Sequence, residues 1–222
     1  PSSTTITDIV ALDVDRNVLN DFLLAAPNSS DSLVLKSNLH GRYFLQSDGW
    51  EDKGFGGQAW LAATDANADA CWDVIGCGAA GTQLTLMKSI GHHSWQPNSR
   101  SLLSTTPMQG VLVDDFDNDG RDDYLTWGEQ GAEFFRQNAE GTVAKDDQVL
   151  SMRQDTLQVA RLDADRDGDI DFISLDAQGT LHLWDNVGGN ADQQLELVIR
   201  ADEDGKQRPR ERTNMHGVGS LV

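Results

Sequence analysis

Asp115-Phe116-Asp117-Asn118-Asp119-Gly120-Arg121-Asp122-Asp123-Tyr124 places side-chain oxygens at positions 1, 3, 5 and 9 of a ten-residue run, with glycine at 6. A second copy follows at Asp163-Ala164-Asp165-Arg166-Asp167-Gly168-Asp169-Ile170-Asp171-Phe172. Apolar packing has no use for such a ladder, whereas a hard divalent cation such as Ca²⁺ does. Two variant copies stand upstream. One offers Asp13, Asp15, Asn17 and Asp21, with Val18 in the glycine position; the other offers Asp65, Asn67, Asp69 and Asp73, with Ala70 there. First ligands therefore fall at 13, 65, 115 and 163, at intervals of 52, 50 and 48. That beat describes a repeated supersecondary unit, each copy unable to bury its own apolar face alone.

Around the ladders the chain reads as strands. Apolar runs follow each one, at Phe22–Ala25, Val74–Ile75, Tyr124–Trp127 and Phe172–Leu175. They are short and rich in β-branched and aromatic residues. A turn comes next, then a run alternating at period two, at Ser32–Lys36, Gln83–Met87, Ala132–Arg136 and Thr180–Trp184. Helical periodicity is nearly absent, and the 21 glycines cluster at turns. Units of about fifty residues holding about four strands match a β-propeller blade. A β-helix needs shorter coils, and a sandwich does not reuse one loop on a fixed beat. The expected fold is all-β, a propeller with four blades at about 1–52, 53–102, 103–150 and 151–190.

An EF-hand is excluded by counting. Position 12 would fall on Leu24, Gly76, Thr126 and Ser174, none able to close the cage. Here Asp21, Asp73, Asp123 and Asp171 supply a ligand at position 9 instead. The carbonyls of Leu19, Cys71, Arg121 and Asp169 at position 7 are the expected fifth oxygens. The metal set is then Asp13, Asp15, Asn17, Leu19 and Asp21; Asp65, Asn67, Asp69, Cys71 and Asp73; Asp115, Asp117, Asp119, Arg121 and Asp123; Asp163, Asp165, Asp167, Asp169 and Asp171.

The formal charge of −19 disfavours nucleic acid and anionic membranes as partners. Four Ca²⁺ ions, adding eight positive charges, would bring it to −11, so metal and stability are expected to be linked. The sequence has no run of eighteen apolar residues to insert in a membrane. It opens at Pro1 and shows no signal peptide, which reads as a mature or excised piece. Rigid calcium sites suit an extracellular or periplasmic location. Cys71 and Cys77 are the two cysteines, and their spacing allows a small disulfide loop or two buried thiols.

The ladders with their trailing strands resemble FG-GAP/VCBS repeats, the calcium-loop blades of integrin-like propellers, over roughly residues 5–186. Phe55-Gly56-Gly57, the ladder from Asp65, and Val74-Ile75-Gly76-Cys77-Gly78-Ala79 follow that family's order. The resemblance implies a larger ring of about seven blades. Val18 and Ala70 depart from the pattern, and a positive φ there would be strained, so calcium affinity is expected to be lowest in the first two ladders. After a strand at Leu195–Ile199, the segment Arg212-Thr-Asn-Met-His216-Gly-Val-Gly-Ser220 resembles the opening of an ASPIC/UnbV-type module, taken to occupy 191–222.

No motif for catalysis is visible: there is no Gly-x-Ser-x-Gly or His-Glu-x-x-His. Carboxylates on Ca²⁺ make poor general acids, and Glu51, Asp52, Glu129, Glu133 and Asp146 show no spacing that singles out a pair. His92-His93 reads as a turn rather than a zinc site. Trp72, Trp127 and Trp184 read as blade core, with Trp50, Trp60 and Trp95 as candidates for an exposed recognition surface. Lys206–Arg212 is the one basic patch, read as a solvated loop or a docking element for an acidic partner. The expected function is a secreted calcium-binding adhesion or protein-interaction scaffold, not an enzyme, with an unidentified protein or glycan on the propeller face. The alternative is a carbohydrate-binding or polysaccharide-degrading propeller.

Overall fold

Period-two alternation, cut every few residues by Gly, Asn or Ser, leaves this chain little local structure except strands. The computed structural model describes residues 4–188, without 16, 18, 32, 39–40, 47–55, 68, 70, 79–80, 82, 90–94, 104–106, 140–141 and 148–149; at 46 and 95–103 only the backbone is described. These residues form fifteen strands in four antiparallel sheets, with no helix among them. The first sheet is β1 (Asp8–Leu12), β2 (Asp21–Ala25), β3 (Leu33–Ser37) and β4 (Tyr43–Gln46). The second is β5 (Gln58–Thr64), β6 (Asp73–Gly78), β7 (Gln83–Ser89) and β8 (Trp95–Leu103). The third is β9 (Gly110–Asp114), β10 (Asp123–Gly128), β11 (Gly131–Gln137) and β12 (Val143–Lys145). In the fourth, β13 (Thr156–Leu162), β14 (Asp171–Asp176) and β15 (Leu181–Trp184) are described. Every sheet is a simple up-and-down meander.

All eight strand runs read from the sequence are present. Each ladder joins the first strand of a sheet to the second, so the strand ahead of a ladder belongs to that ladder's own sheet. The pairing shows why. Position 9 sits directly opposite the residue that precedes position 1, as Leu12↔Asp21, Thr64↔Asp73, Asp114↔Asp123 and Leu162↔Asp171. The ladder is the connection that closes this antiparallel pair. As the EF-hand count required, Leu24, Gly76, Thr126 and Ser174 lie within strands.

Successive sheets pack face to face through three apolar layers. Leu12, Leu23, Ala25 and Val34 of the first sheet meet Leu61, Val74 and Met87 of the second. Trp60, Ile75, Cys77 and Leu84 then meet Tyr124 and Phe135, and Leu125, Trp127 and Phe134 meet Val159 and Phe172. Neighbouring residues serve opposite layers, because side chains alternate across a strand. Val74 packs back towards the first sheet while Ile75 packs forward, and Tyr124 and Leu125 repeat the division. This accounts for the near-continuous burial of β6 and β10. A fully buried Leu, Val or Phe in such a layer contributes about 1.5–3 kcal/mol. First strands lie side by side, β1 against β5, β5 against β9, and β9 against β13, as blades do around a common axis. The outer faces of the first and fourth sheets carry exposed Ile9, Leu45, Leu181 and Leu183.

Two tryptophan expectations are reversed. Trp60 is buried between the second and third sheets, and Trp72 is 49% exposed. Residue 60 belongs to an inner strand that the ladder-first reading of the repeat left unassigned. Trp72, just ahead of the β6 aspartate, points away from both layers. Trp127 is core as expected, and Trp184 is partly buried against the same core, stacked on Phe172 at 5.8 Å. No disulfide joins Cys71 to Cys77: the first sits in a ladder and the second in β6. Trp50, His92-His93, the basic patch and the whole 191–222 segment lie outside the described residues, as does the Trp95 side chain.

Candidate metal centres

Short polar side chains next to strand ends bond to nearby backbone N–H groups; one such bond recurs in all four ladders and a second in three of them. Position 1 accepts the N–H of position 5 through Asp13, Asp65 and Asp115, at 2.9, 3.1 and 3.0 Å. In the fourth ladder Asp163 takes the N–H of Arg166 instead, at 2.7 Å. Position 5 accepts the N–H of position 7: Asn17 from Leu19, Asp69 from Cys71, Asp119 from Arg121 and Asp167 from Asp169, at 2.7–3.0 Å. These bonds curl the chain so that the oxygens turn inward. In the third and fourth ladders the curl takes φ of +57° at Asn118 and +65° at Arg166, then +84° at Gly120 and +97° at Gly168. Glycine at position 6 meets that geometry without steric cost. Val18 and Ala70 lie outside the described residues.

Position 9 does something the sequence did not disclose. Asp21, Asp73, Asp123 and Asp171 are all fully buried, each at the start of the second strand. One oxygen of each accepts a backbone N–H from the end of the third strand, Ser37, Ser89 and Gln137, or from Asn186 just past it, at 2.7–3.0 Å. The other accepts the N–H of position 2 in three copies, from Val14, Ala66 and Ala164. The position-9 carboxylate therefore ties the ladder to the sheet behind it. In the third copy the second oxygen, Asp123 Oδ2, is buried with no donor. Burial pushes the Asp123 carboxyl up to about 7 and that of Asp73 up to about 6, and it raises Asp21 as well.

Carboxylate oxygens converge in three of the four ladders. Asp13, Asp15 and Asp21 come together in the first, Asp115, Asp117 and Asp119 in the third, and Asp163, Asp165 and Asp171 in the fourth; within each trio the oxygens lie within 4.8 Å of one another. Oxygens that share one Ca²⁺ at about 2.3–2.6 Å cannot stand more than about 5 Å apart, so these sets fit the ion. Two of these trios hold a buried oxygen without a hydrogen-bond donor, Asp15 Oδ1 and Asp117 Oδ1, and Asp123 Oδ2 of the third ladder is another beside the second of them. Anionic oxygens without a donor are costly to bury, and a cation removes that cost. Asp65, Asp69 and Asp73 form no such set among the described residues; there Asn67 replaces an acid and its amide donates to Asp69 at 2.9 Å. Nearby cations lean on the clusters. Lys36 reaches Asp15 and Arg136 reaches Asp117, both at 2.5 Å, and Arg121 folds back on Asp119.

Three further residues join neighbouring ladders. Gln137 donates its amide to the Ala66 carbonyl at 3.2 Å, and Asn186 donates to the Phe116 carbonyl at 2.7 Å, the same clasp one blade later. Asp122 accepts from the Thr64 hydroxyl and the Asp65 N–H at 2.7 and 2.8 Å. The repeated amide, 14 and 15 residues after position 9, is a signal that the sequence did carry.

An FG-GAP-like repeat model matches residues 115–174, which span the third and fourth ladders. No curated protein matches the sequence. Among solved structures, a lectin from Agrocybe aegerita, described for specific recognition of non-reducing terminal N-acetylglucosamine, is similar in fold. The TM-score is 0.53 at 18% identity, over 80% of this chain and 51% of the lectin chain. This chain thus spans about half the length of that lectin. The protein is an all-β chain of β-propeller type that carries an FG-GAP-like repeat at residues 115–174.

Proposed function

We propose that this protein is an exported, Ca²⁺-stabilised propeller that serves as an interaction scaffold for a protein or glycan partner, with no catalysis in this segment. One observation carries the reading: carboxylates converge in three ladders, and in the first and third a member of the set keeps a buried oxygen that no hydrogen bond satisfies. The ligands would be the oxygens of positions 1, 3 and 5, with position 9 added in the first and fourth ladders. Bound there, the ion supplies positive charge that fixes the turn between first and second strands and offsets the repulsion of a chain at −19.

The absence of catalysis draws support from the acids outside the ladders. Glu133 is held by Lys145 and Asp146 by Arg136, each at 2.6 Å. A propeller of about seven blades, of which 1–190 supply four, draws support from the exposed apolar faces of the first and fourth sheets, since inner blades bury those faces. An ASPIC/UnbV-type module at 191–222 remains part of the proposal.

Thermal unfolding in excess CaCl₂ and in chelator tests the central claim. A ligand at about a hundred times its dissociation constant adds about 2.7 kcal/mol, so calcium should raise Tm by about 5–10 °C. Identical curves in the two conditions would sink the metal reading. A glycan array and a protein-capture screen, both run with calcium, then divide the two partner classes.

A further inference from the structure

The residue that gives its N–H to the position-9 aspartate is Ser37, Ser89, Gln137 or Asn186, at the end of the third strand or just past it. One place earlier stand Lys36, Lys88, Arg136 and Asp185. The register of each sheet therefore assigns one side chain of the third strand to its ladder. It is a base in the first three sheets and an acid in the fourth. In the second ladder position 3 is Asn67, so Lys88 finds no carboxylate at that position.

In the first and third ladders the base meets position 3 in the same way. Lys36 Nζ lies 2.5 Å from Asp15 Oδ2, and Arg136 Nη1 lies 2.5 Å from Asp117 Oδ2. The other oxygen of each aspartate, Oδ1, is buried without a donor. Each carboxylate is thus divided, with one oxygen on the base and one bare. Two roles are open to such a base, and they have opposite signs. Orienting the carboxylate would help a cation to bind. Countering its charge would do the reverse, because the base relieves repulsion among the three carboxylates before an ion arrives and then repels the ion. Two observations favour the second role. The side chains of Lys36 and Asp15 are only 13% and 12% exposed, so water screens their charges little. The curl of the ladder is already set by the backbone bonds of positions 1 and 5, which leaves the base little to orient.

We infer that this third-strand residue sets the calcium affinity of its ladder, Lys36 and Arg136 being built-in counter-charges that weaken binding in the first and third ladders and stabilise them when ion-free. Lys36 has the larger effect. Arg136 is 39% exposed, and it shares its charge with Asp146 at 2.6 Å and with the Phe134 ring at 5.1 Å. Asp185 holds the same place in the fourth ladder and adds a negative charge there, so that ladder binds more tightly than the first and third. This rests on the calcium reading of the ladders and names the residues that grade it.

The test is a calcium titration of the full chain against a competing chelator of known affinity. The backbone ¹⁵N–H resonances of Leu19, Arg121 and Asp169 report on the first, third and fourth ladders. Lys36→Met should raise affinity at Leu19 by about five- to tenfold, and Arg136→Gln should raise it at Arg121 by about two- to fivefold. Each should leave the other two reporters unchanged. Asp185→Lys should weaken binding at Asp169. Because the coupling is reciprocal, Lys36→Met should also lower Tm in chelator by about 2–5 °C and leave Tm in excess calcium unchanged. If that variant fails to fold, Arg136→Gln carries the same test in a different ladder. Affinity lowered by loss of either base would mean that the bases orient ligands, and would overturn the inference. Unchanged affinity, with Tm lost equally in both conditions, would make the bases structural and overturn it too. No calcium response at any reporter in the unaltered chain would instead sink the calcium reading, and this inference with it.

Discussion

The second and third ladders share spacing, strand register and the same two Asx bonds, yet only the third gathers three carboxylates. Asn67 and Asp117 occupy the same place, position 3. With Asn67 the amide donates to Asp69 and satisfies the loop internally. With Asp117 an oxygen stays buried and bare, and Arg136 comes in beside the other. Backbone hydrogen bonds therefore shape the loop, and the number of carboxylates decides whether it calls for a cation. The two functions can be separated by substitution.

The largest effect should come from position 9. In both ladders its aspartate is buried and accepts a backbone N–H from the end of the third strand, Ser89 to Asp73 and Gln137 to Asp123. Asp73→Ala removes the acceptor of two backbone N–H groups, that of Ser89 and that of buried Ala66, and should cost about 2–5 kcal/mol in urea unfolding, with or without calcium. Asp123→Ala removes the acceptor of one N–H, that of Gln137, and should cost less, about 1–3 kcal/mol, again in both conditions. A loss that appears only in calcium would mean that these residues are ligands first and sheet ties second.

Position 3 should separate the ladders by condition. Asp117→Ala should lower Tm in calcium by roughly half the calcium effect and change little in chelator. Asn67→Ala should shift Tm equally in both. Matching behaviour of the two variants would erase the distinction drawn between the ladders.

A smaller effect is expected with pH. Asp73 and Asp123 have folded pKa values near 6 and 7, above the 3.8 of an unperturbed aspartate. In that window the native state holds protons that the unfolded chain has released, so stability in chelator should be greatest at low pH and fall from about pH 4 towards 7. Asp123→Asn should flatten that slope by more than Asp73→Asn, because its shift is the larger. Stability that rises across the same range in the chelated protein would show these carboxyls to be ionised in the fold.

Much of this was legible in the residues because it is local. A ladder with oxygens at 1, 3, 5 and 9 is set by side chains bonding to backbone two to four residues away, and the 52, 50 and 48 beat carries that loop through the chain. Alternation likewise placed the strands, since a strand's faces depend only on its own period. The assignment of Trp60 and Trp72 was not legible. Each lies in a short segment without a clear period, and which side is covered depends on a blade about fifty residues away.

By itself the sequence determined a repeating all-β chain, the position of each acidic loop and which ladders carry glycine. Tertiary structure alone decided that Asp21, Asp73, Asp123 and Asp171 are buried ties, and which carbonyl of the preceding ladder the Gln137 and Asn186 amides reach. The reason is distance. Such roles depend on which backbone donors and apolar faces arrive from another blade, and side-chain spacing within one blade contains no information about that arrival.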